Sequence, residues 1–154
     1  MGRSPKAKQL ELAYIAGFLD GDGSIMLQLH RQRSGREVFR IKTVICFYQN
    51  VRYRREIEWI RNVFSYGYVY NRNDHICELR IEGFQRVFDT LMKLIPYLRL
   101  KKKQAELLIE LIPKLQHKLL TKQDIAIWIQ RMREYNYFSS QRNALEIPVT
   151  TDVR

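Results

Sequence analysis

The sequence predicts an α+β fold in which helices and β-hairpins alternate in the order α-β-β-α-β-β-α, with extra C-terminal helices. Two pairs of segments alternate apolar and polar residues, which predicts two hairpins and a curved antiparallel sheet. The stretches around them repeat apolar residues every three to four positions, which predicts amphipathic helices. The 154 residues are expected to form one domain, with its core over about 8–118 and a C-terminal helix and tail over 119–154.

The first predicted helix covers residues 11–19 and runs into the string Asp20-Gly-Asp-Gly23. Ala13, Gly17 and Gly21 recur every four residues, so they line one helix face almost without side chains. Glycine inside a helix costs about 1 kcal/mol relative to alanine, so Gly17 needs a structural reason. Either this face lies under another helix of the same chain, or it packs closely against the same helix of a second copy.

Asp20 and Asp22 are two residues apart and therefore do not share a helix face. Gly21 and Gly23 are expected to end the helix, because glycine adopts the positive-φ conformations of helix termini, and Asp22 then projects from the helix end. A single carboxylate is an incomplete Mg²⁺ site; phosphate oxygens and the Asp22 of a second copy would complete it. In isolation, the same string is more typical of an ordinary turn.

Two β-hairpins follow from the alternation of apolar and polar residues. The first joins strands 24–30 and 38–49 through a turn at Ser34-Gly35, and the second joins 68–72 and 76–81 through Asn73-Asp74. One face of the first hairpin is apolar, and the other is basic and polar. The side chains expected to point outward are Met26, Gln28, His30, Arg40, Lys42, Val44, Cys46, Tyr48, Tyr70, Arg72, Ile76, Glu78 and Arg80.

Four further helices are predicted from apolar residues at helical spacing. Their apolar residues are Ile57, Ile60, Val63 and Phe64 in the first, Phe84, Val87, Phe88, Leu91 and Ile95 in the second, Ala105, Leu108, Ile109 and Ile112 in the third, and Ile125, Trp128 and Met132 in the fourth. Asn50 is expected to cap the first and Pro96 to end the second. Thr121 and Asp124 form a predicted capping box for the fourth. The tail after Tyr137 stays unassigned.

The chain is strongly basic, with 27 Lys and Arg against 16 Asp and Glu and a net charge of +11. Residues 28–73 hold ten of the basic residues and three acids, which favours a polyanionic partner. A membrane is disfavoured, because the basic stretch is predicted as strands and no apolar run reaches the ~20 residues of a membrane span. The N-terminal residues lack the apolar stretch of a secretory signal, and two cysteines are too few for a disulfide scaffold. Both observations favour an intracellular location. A ribosomal-type RNA-binding protein explains the charge but not the small-residue helix face.

Residues 15–25 resemble the signature of the LAGLIDADG homing endonucleases, and Ala16, Gly17, Asp20, Asp22 and Gly23 match its letters. The likeness extends over roughly residues 8–118, and the signature occurs once. This resemblance implies a homodimer that makes a Mg²⁺-dependent double-strand break in a long, nearly palindromic DNA target without a small-molecule cofactor. An intron maturase, or a nucleic-acid-binding protein of the same fold that does not cleave, is the alternative.

The resemblance also implies roles for individual residues. Asp22 matches the metal-binding carboxylate, with the backbone carbonyl of Gly21, while Gln49 resembles a residue that positions water. Lys101 matches the active-site lysine. Arg54 is taken as a second basic residue, with Arg52 as its rival and Tyr53 at an ambiguous position. Asp20 is assigned a supporting role and, with Ala13, Ala16 and Gly17, a place in the dimer interface.

The basic face of each hairpin is expected to lie in the major groove, which admits a two-stranded ribbon. Arginine suits guanine and glutamine suits adenine, so the main candidates for base contacts are Gln28, Arg40, Lys42, Arg72 and Arg80. His30, Cys46, Tyr48, Tyr70, Ile76 and Glu78 share those faces as weaker candidates. His30, His75 and His117 show no zinc-ligand spacing, so the sequence favours a metal mechanism based on carboxylates.

Overall fold

The computed structural model describes the backbone of residues 4–34 and 36–136, so Gly35 of the predicted turn and the tail from residue 137 lie outside the described residues. The elements are α1 (Pro5–Asp22), β1 (Gly23–Ser34), β2 (Arg36–Asn50), a 3₁₀ turn (Val51–Tyr53), α2 (Arg54–Phe64), β3 (Tyr68–Asn71), β4 (Ile76–Glu82), α3 (Phe84–Leu94), α4 (Lys102–Gln116) and α5 (Lys122–Tyr135). The predicted element order is confirmed.

The four strands form one antiparallel sheet in the order β1-β2-β4-β3. Ile25 pairs with Ile45 and Gln28 with Lys42, while Tyr48 and Tyr70 both pair with Glu78. The predicted alternation is therefore confirmed, since paired residues share a face. We call the face that carries these polar residues the outer face; it comprises Met26, Gln28, His30, Arg40, Lys42, Val44, Cys46, Tyr48, Tyr68, Tyr70, Arg80 and Glu82, with Glu78 at its centre.

The opposite face of the sheet carries the hydrophobic core. Ile45, Phe47 and Leu79 are fully buried there, and α1, α2 and α3 supply the other side of the core through Ile15, Leu19, Ile57, Ile60, Leu91 and Leu94. The predicted capping box at the start of α5 is confirmed by reciprocal hydrogen bonds between Thr121 and Asp124. Within 4–34 and 36–136, none of the helices combines the length and apolar composition that crossing a bilayer requires.

The boundaries of α1 differ from the prediction at both ends. The helix begins at Pro5, where the Ser4 hydroxyl accepts a hydrogen bond from the Ala7 amide at 3.2 Å, a Ser-Pro start that the sequence contained. The predicted end before Asp22 is wrong, because the helix continues through Gly21 and Asp22.

Glycine at position 23 is required for space, not for a positive φ as predicted. Its φ is −132°, and a Cβ atom there would lie 2.5 Å from Leu19 Cδ1 and 2.9 Å from the Cys46 carbonyl oxygen. Only a residue without a side chain lets the end of α1 approach β2 this closely.

Asn50 does not cap α2 as predicted. It is the last residue of β2, and its side chain accepts a hydrogen bond from the Arg52 amide at 3.0 Å. Asn50 therefore caps the 3₁₀ turn, and α2 begins at Arg54 without a side-chain cap.

Candidate active site and nucleic-acid interface

Three residues predicted to act together meet where the C-terminus of α1 approaches the end of β2 and the start of α4. Gln49 Nε2 donates to Asp22 Oδ2 across 3.4 Å, while Gln49 Oε1 accepts a hydrogen bond from the Asn50 amide at 2.9 Å. Lys101 Nζ donates to the Asp20 carbonyl oxygen at 2.5 Å. We call Asp22, Gln49 and Lys101 the Asp22 site.

Asp20 holds this site together from within the last turn of α1. Its Oδ2 accepts a hydrogen bond from the Arg99 amide at 2.8 Å, and its Oδ1 accepts one from the Lys101 amide at 2.9 Å. The carboxylate thus binds the segment before α4 to the end of α1 and fixes the backbone that carries Lys101. The bonded residues are 79 and 81 positions apart in the sequence, so no local sequence pattern predicts these contacts.

The two aspartates are expected to differ in their effect on stability. Asp20→Ala should lower the free energy of unfolding by about 1.5–3 kcal/mol, since hydrogen bonds to a charged acceptor contribute about that much. Asp22→Ala should change it by no more than about 0.5 kcal/mol, as is usual for an exposed side chain. Urea unfolding of the two variants compares the values directly; equal losses would contradict the positioning role of Asp20.

The electrostatics of the site suit a cation with oxygen ligands. The Asp22 carboxylate is exposed and has no ion pair within the described part of the chain. Backbone carbonyls in the last turn of a helix, including that of Gly21, have no intrahelical donor, and the helix dipole makes this end partially negative. Burial lowers the pKa of Lys101 below its ordinary value, against the opposing effect of the Asp20 and Asp22 carboxylates.

The donor set fits Mg²⁺ only in part. Exposed carboxylate and carbonyl oxygens are the ligands that Mg²⁺ prefers, which agrees with Asp22 and Gly21. Among residues 4–34 and 36–136, however, no group of three or more His, Cys, Asp or Glu side chains is placed to hold a metal. One chain therefore supplies a fraction of a coordination shell, and the remaining ligands have to come from outside it.

The described contacts of Arg54 are not with the Asp22 site, so its role as the second basic residue stays a prediction. Arg54 Nε donates to Glu58 Oε1 at 2.7 Å and Nη1 donates to Asn71 Oδ1 at 2.7 Å. The i,i+4 spacing from Arg54 to Glu58 is a helix ion-pair signal. Arg52, the rival, is exposed on the 3₁₀ turn that directly follows β2.

Most of the predicted base-contact residues are at least partly accessible, on the outer face or, for Arg72 and Ile76, beside it where β3 turns into β4. His30, Arg40, Tyr70 and Arg72 are exposed, and Gln28, Lys42, Tyr48, Ile76 and Arg80 are half-buried. Cys46 and Glu78 were predicted to point outward as well, but they are 0% and 4% exposed. Their prediction as direct base contacts is wrong, because neighbouring side chains of the outer face cover them.

The small-residue face of α1 is uncovered. Gly17 and Gly21 are exposed, and no described atom lies within 4 Å of the position that a Cβ would take at either residue. Leu10 and Tyr14, about two turns and one turn before Gly17, are 63% and 60% exposed. Within the described residues, Gly17 therefore does not lie under another helix of its own chain.

One member of the predicted dimer interface is placed elsewhere. Ala16 is 0% exposed, since it lies between Ile15 and Leu19 in the core of its own chain. Its assignment to the interface is wrong, whereas Ala13 is half-buried beside the exposed Gly17.

The chain thus combines an α+β fold, an antiparallel sheet whose outer face carries several basic side chains, and a helix that ends in an exposed aspartate. A sequence profile described as LAGLIDADG endonuclease matches residues 15–110. The chain belongs to this family.

Two relatives are named as DNA endonucleases. The chain is 33% identical over 107 residues to I-CvuI of Chlorella vulgaris, covering 70% of this chain and 66% of the relative. It is 30% identical over 104 residues to I-CreI of Chlamydomonas reinhardtii, covering 68% of this chain and 63% of the relative. The match thus spans somewhat less than two thirds of each relative.

Solved structures share the fold. The crystal structure of I-CvuI in complex with its target in the presence of 2 mM Ca has a TM-score of 0.78 at 25% identity, covering 90% of this chain and 87% of that one. The archaeal intron-encoded homing endonuclease I-Vdi141I, complexed with DNA, has a TM-score of 0.70 at 19% identity and covers 88% of each chain. The second likeness shows the fold alone.

Proposed function

We propose that two copies of this chain form a homing endonuclease that makes a metal-dependent double-strand break in a long, nearly palindromic DNA target. The observation that carries this proposal is the position of Asp22 at the end of a helix whose Gly17 and Gly21 face is uncovered. Pairing two such helices brings two exposed carboxylates together. The names of both relatives and the DNA targets in the solved structures support the same activity.

In this proposal, each copy lays its outer face in the major groove of one half of the target. Arg72 and Arg80 supply donors that suit guanine, and Gln28 suits adenine. Lys42 and Arg40, next to each other along the outer side of β2, add positive charge toward the phosphates. Two copies related by a two-fold axis read the two halves in opposite directions, which accounts for a nearly palindromic site.

Asp22 and the Gly21 carbonyl would hold Mg²⁺ together with phosphate oxygens and the carboxylate of the second copy. When bound, the ion supplies activation of water and stabilisation of charge on the attacked phosphate. Gln49 is held through its own Oε1 by the Asn50 amide, so its NH₂ group can orient a water molecule beside Asp22. Lys101, fixed through Asp20, stabilises negative charge that develops on the phosphate.

The test uses the uninterrupted form of the locus in which the intron or intein carrying this reading frame inserts. Incubation of a plasmid carrying that locus with the protein and Mg²⁺ should yield linear DNA with short 3′ overhangs, and EDTA should prevent it. Tight binding of the locus without cleavage would favour the non-cleaving alternative, and stimulated splicing of the intron RNA would favour a maturase. The protein is expected to act inside the cell, where its DNA target lies.

A further inference from the structure

Glu78 is a buried acid in the middle of the outer face. β4 lies between β2 and β3, and Glu78 pairs with Tyr48 on one side and Tyr70 on the other. The residue is 4% exposed. Burying a carboxylate is unfavourable unless it is paired and hydrogen-bonded, so its contacts have to compensate for the lost hydration.

Four neighbours provide those contacts. The Cys46 thiol donates to Glu78 Oε1 at 3.2 Å, and burial, together with its hydrogen bond to Glu78, raises the pKa of the Tyr70 hydroxyl to about 12. Arg80 Nη1 lies 3.6 Å from Oε1, and Arg72 Nη1 lies 3.8 Å from Oε2. We call Glu78, Cys46, Tyr70, Arg72 and Arg80 the Glu78 cluster.

The Glu78 carboxylate lies close to both guanidinium groups, and residues outside the Glu78 cluster make further contacts with them. Arg80 Nη2 donates to Gln28 Oε1 at 3.2 Å and Arg80 Nε donates to Glu82 Oε1 at 2.5 Å. Arg72 Nη2 lies 2.8 Å from Asp74 Oδ2. Glu78 is the group that both arginines share, although Arg72 directly follows β3 and Arg80 lies within β4. A long arginine side chain is otherwise free to adopt many rotamers.

We propose that Glu78 is a specificity-determining residue that does not touch DNA and acts by holding Arg72 and Arg80 in the orientation in which they read bases. The inference rests on the proposed function, since it concerns the same DNA interface. A guanidinium group held in one orientation can donate two hydrogen bonds to the edge of one guanine. A mobile guanidinium group binds phosphates instead, and phosphate contacts do not distinguish one DNA sequence from another. Glu78 therefore affects the choice among sequences more than the overall affinity for DNA.

Selection from a random duplex library tests this proposal with Glu78→Gln and a charge-matched control, Glu110→Gln. Glu110 is an exposed acid on α4 that pairs with Lys114 at 3.0 Å, so its loss changes the net charge equally without altering the outer face. For Glu78→Gln we expect the ratio of affinities for the wild-type consensus and for random duplex to fall by roughly tenfold, with the loss confined to a few base positions. Glu110→Gln should retain the wild-type preference.

Two further variants keep the test decisive. Glu78→Asp retains the charge and should keep more of the preference than Glu78→Gln. If Glu78→Gln does not fold, as judged by thermal unfolding, Cys46→Ala removes a donor from beneath the carboxylate and should weaken the same base positions by two- to threefold. A Glu78→Gln protein with the wild-type consensus, or with uniformly weaker binding to all sequences, would overturn the proposal. A wild-type protein that enriches no sequence would instead refute the proposed function.

Discussion

Asp22→Asn should reduce the rate of DNA cleavage by roughly 10³-fold or more while leaving DNA binding intact. The amide keeps the size and the hydrogen bond with Gln49 but removes the negative charge that a divalent cation needs. Metal ions contribute several kcal/mol of stabilisation to phosphoryl transition states, and each 1.4 kcal/mol corresponds to a tenfold change in rate. Because Asp22 is exposed and lies at the edge of the outer face, its neutralisation removes no base contact.

Single-turnover cleavage in Mg²⁺ and mobility-shift binding in Ca²⁺ measure the two quantities separately. Asp89→Asn is a matched control, since Asp89 is an α3 carboxylate that accepts a hydrogen bond from Gln85 at 2.8 Å and lies outside the Asp22 site. The control should cleave at the wild-type rate. Wild-type cleavage by Asp22→Asn would refute the assignment of Asp22 to the metal.

The second large effect is expected from Gly17→Leu, which should convert the proposed dimer into a monomer and abolish double-strand cleavage. No described atom lies within 4 Å of a Cβ at this position, so the single chain can accept the larger side chain. Leucine is also a better helix former than glycine, so the monomer should be no less stable than before. A second α1 helix, in contrast, could no longer approach closely.

Light scattering coupled to gel filtration checks the mass, which should fall from twice 18.6 kDa to 18.6 kDa. Glu106→Leu introduces the same side chain at an exposed position of α4 and should leave the wild-type mass unchanged. A Gly17→Leu protein that remains dimeric would show that the two copies meet through some other surface.

Local patterns were sufficient to predict the faces of the sheet. Tyr48 and Glu78 point the same way because alternation has a period of two, and no tertiary information is needed to see it. How deeply a residue is buried on its face depends on neighbours from three strands, however. Glu78 was therefore assigned to the correct face, but its burial beneath the arginines could not be read from β4 alone.

At the end of α1, the reason for a glycine is a contact with a distant part of the chain and not the local conformation of a helix terminus. The glycine pattern predicted a left-handed helix terminus, whereas the close approach of Gly23 to the Cys46 carbonyl explains that residue without a positive φ. The backbone contacts of Asp20 to Arg99 were likewise hidden, because they join residues distant in sequence. The ion pair between Arg54 and Glu58 is a different case, because their i,i+4 spacing is a local feature of the sequence from which the pair can be predicted.

The junction between α1 and β1 has no intervening residue: the helix ends at Asp22 and the strand begins at Gly23. In the proposed function, the residues for recognition and for scission are therefore joined without a linker, and a duplex that seats β1 at the wrong depth would also displace the Asp22 carboxylate from its phosphate. A misplacement of about 1 Å can slow a reaction by roughly 10²-fold. Mismatched duplexes should therefore lose cutting speed more steeply than they lose affinity, which parallel measurement of both across single-mismatch duplexes can establish.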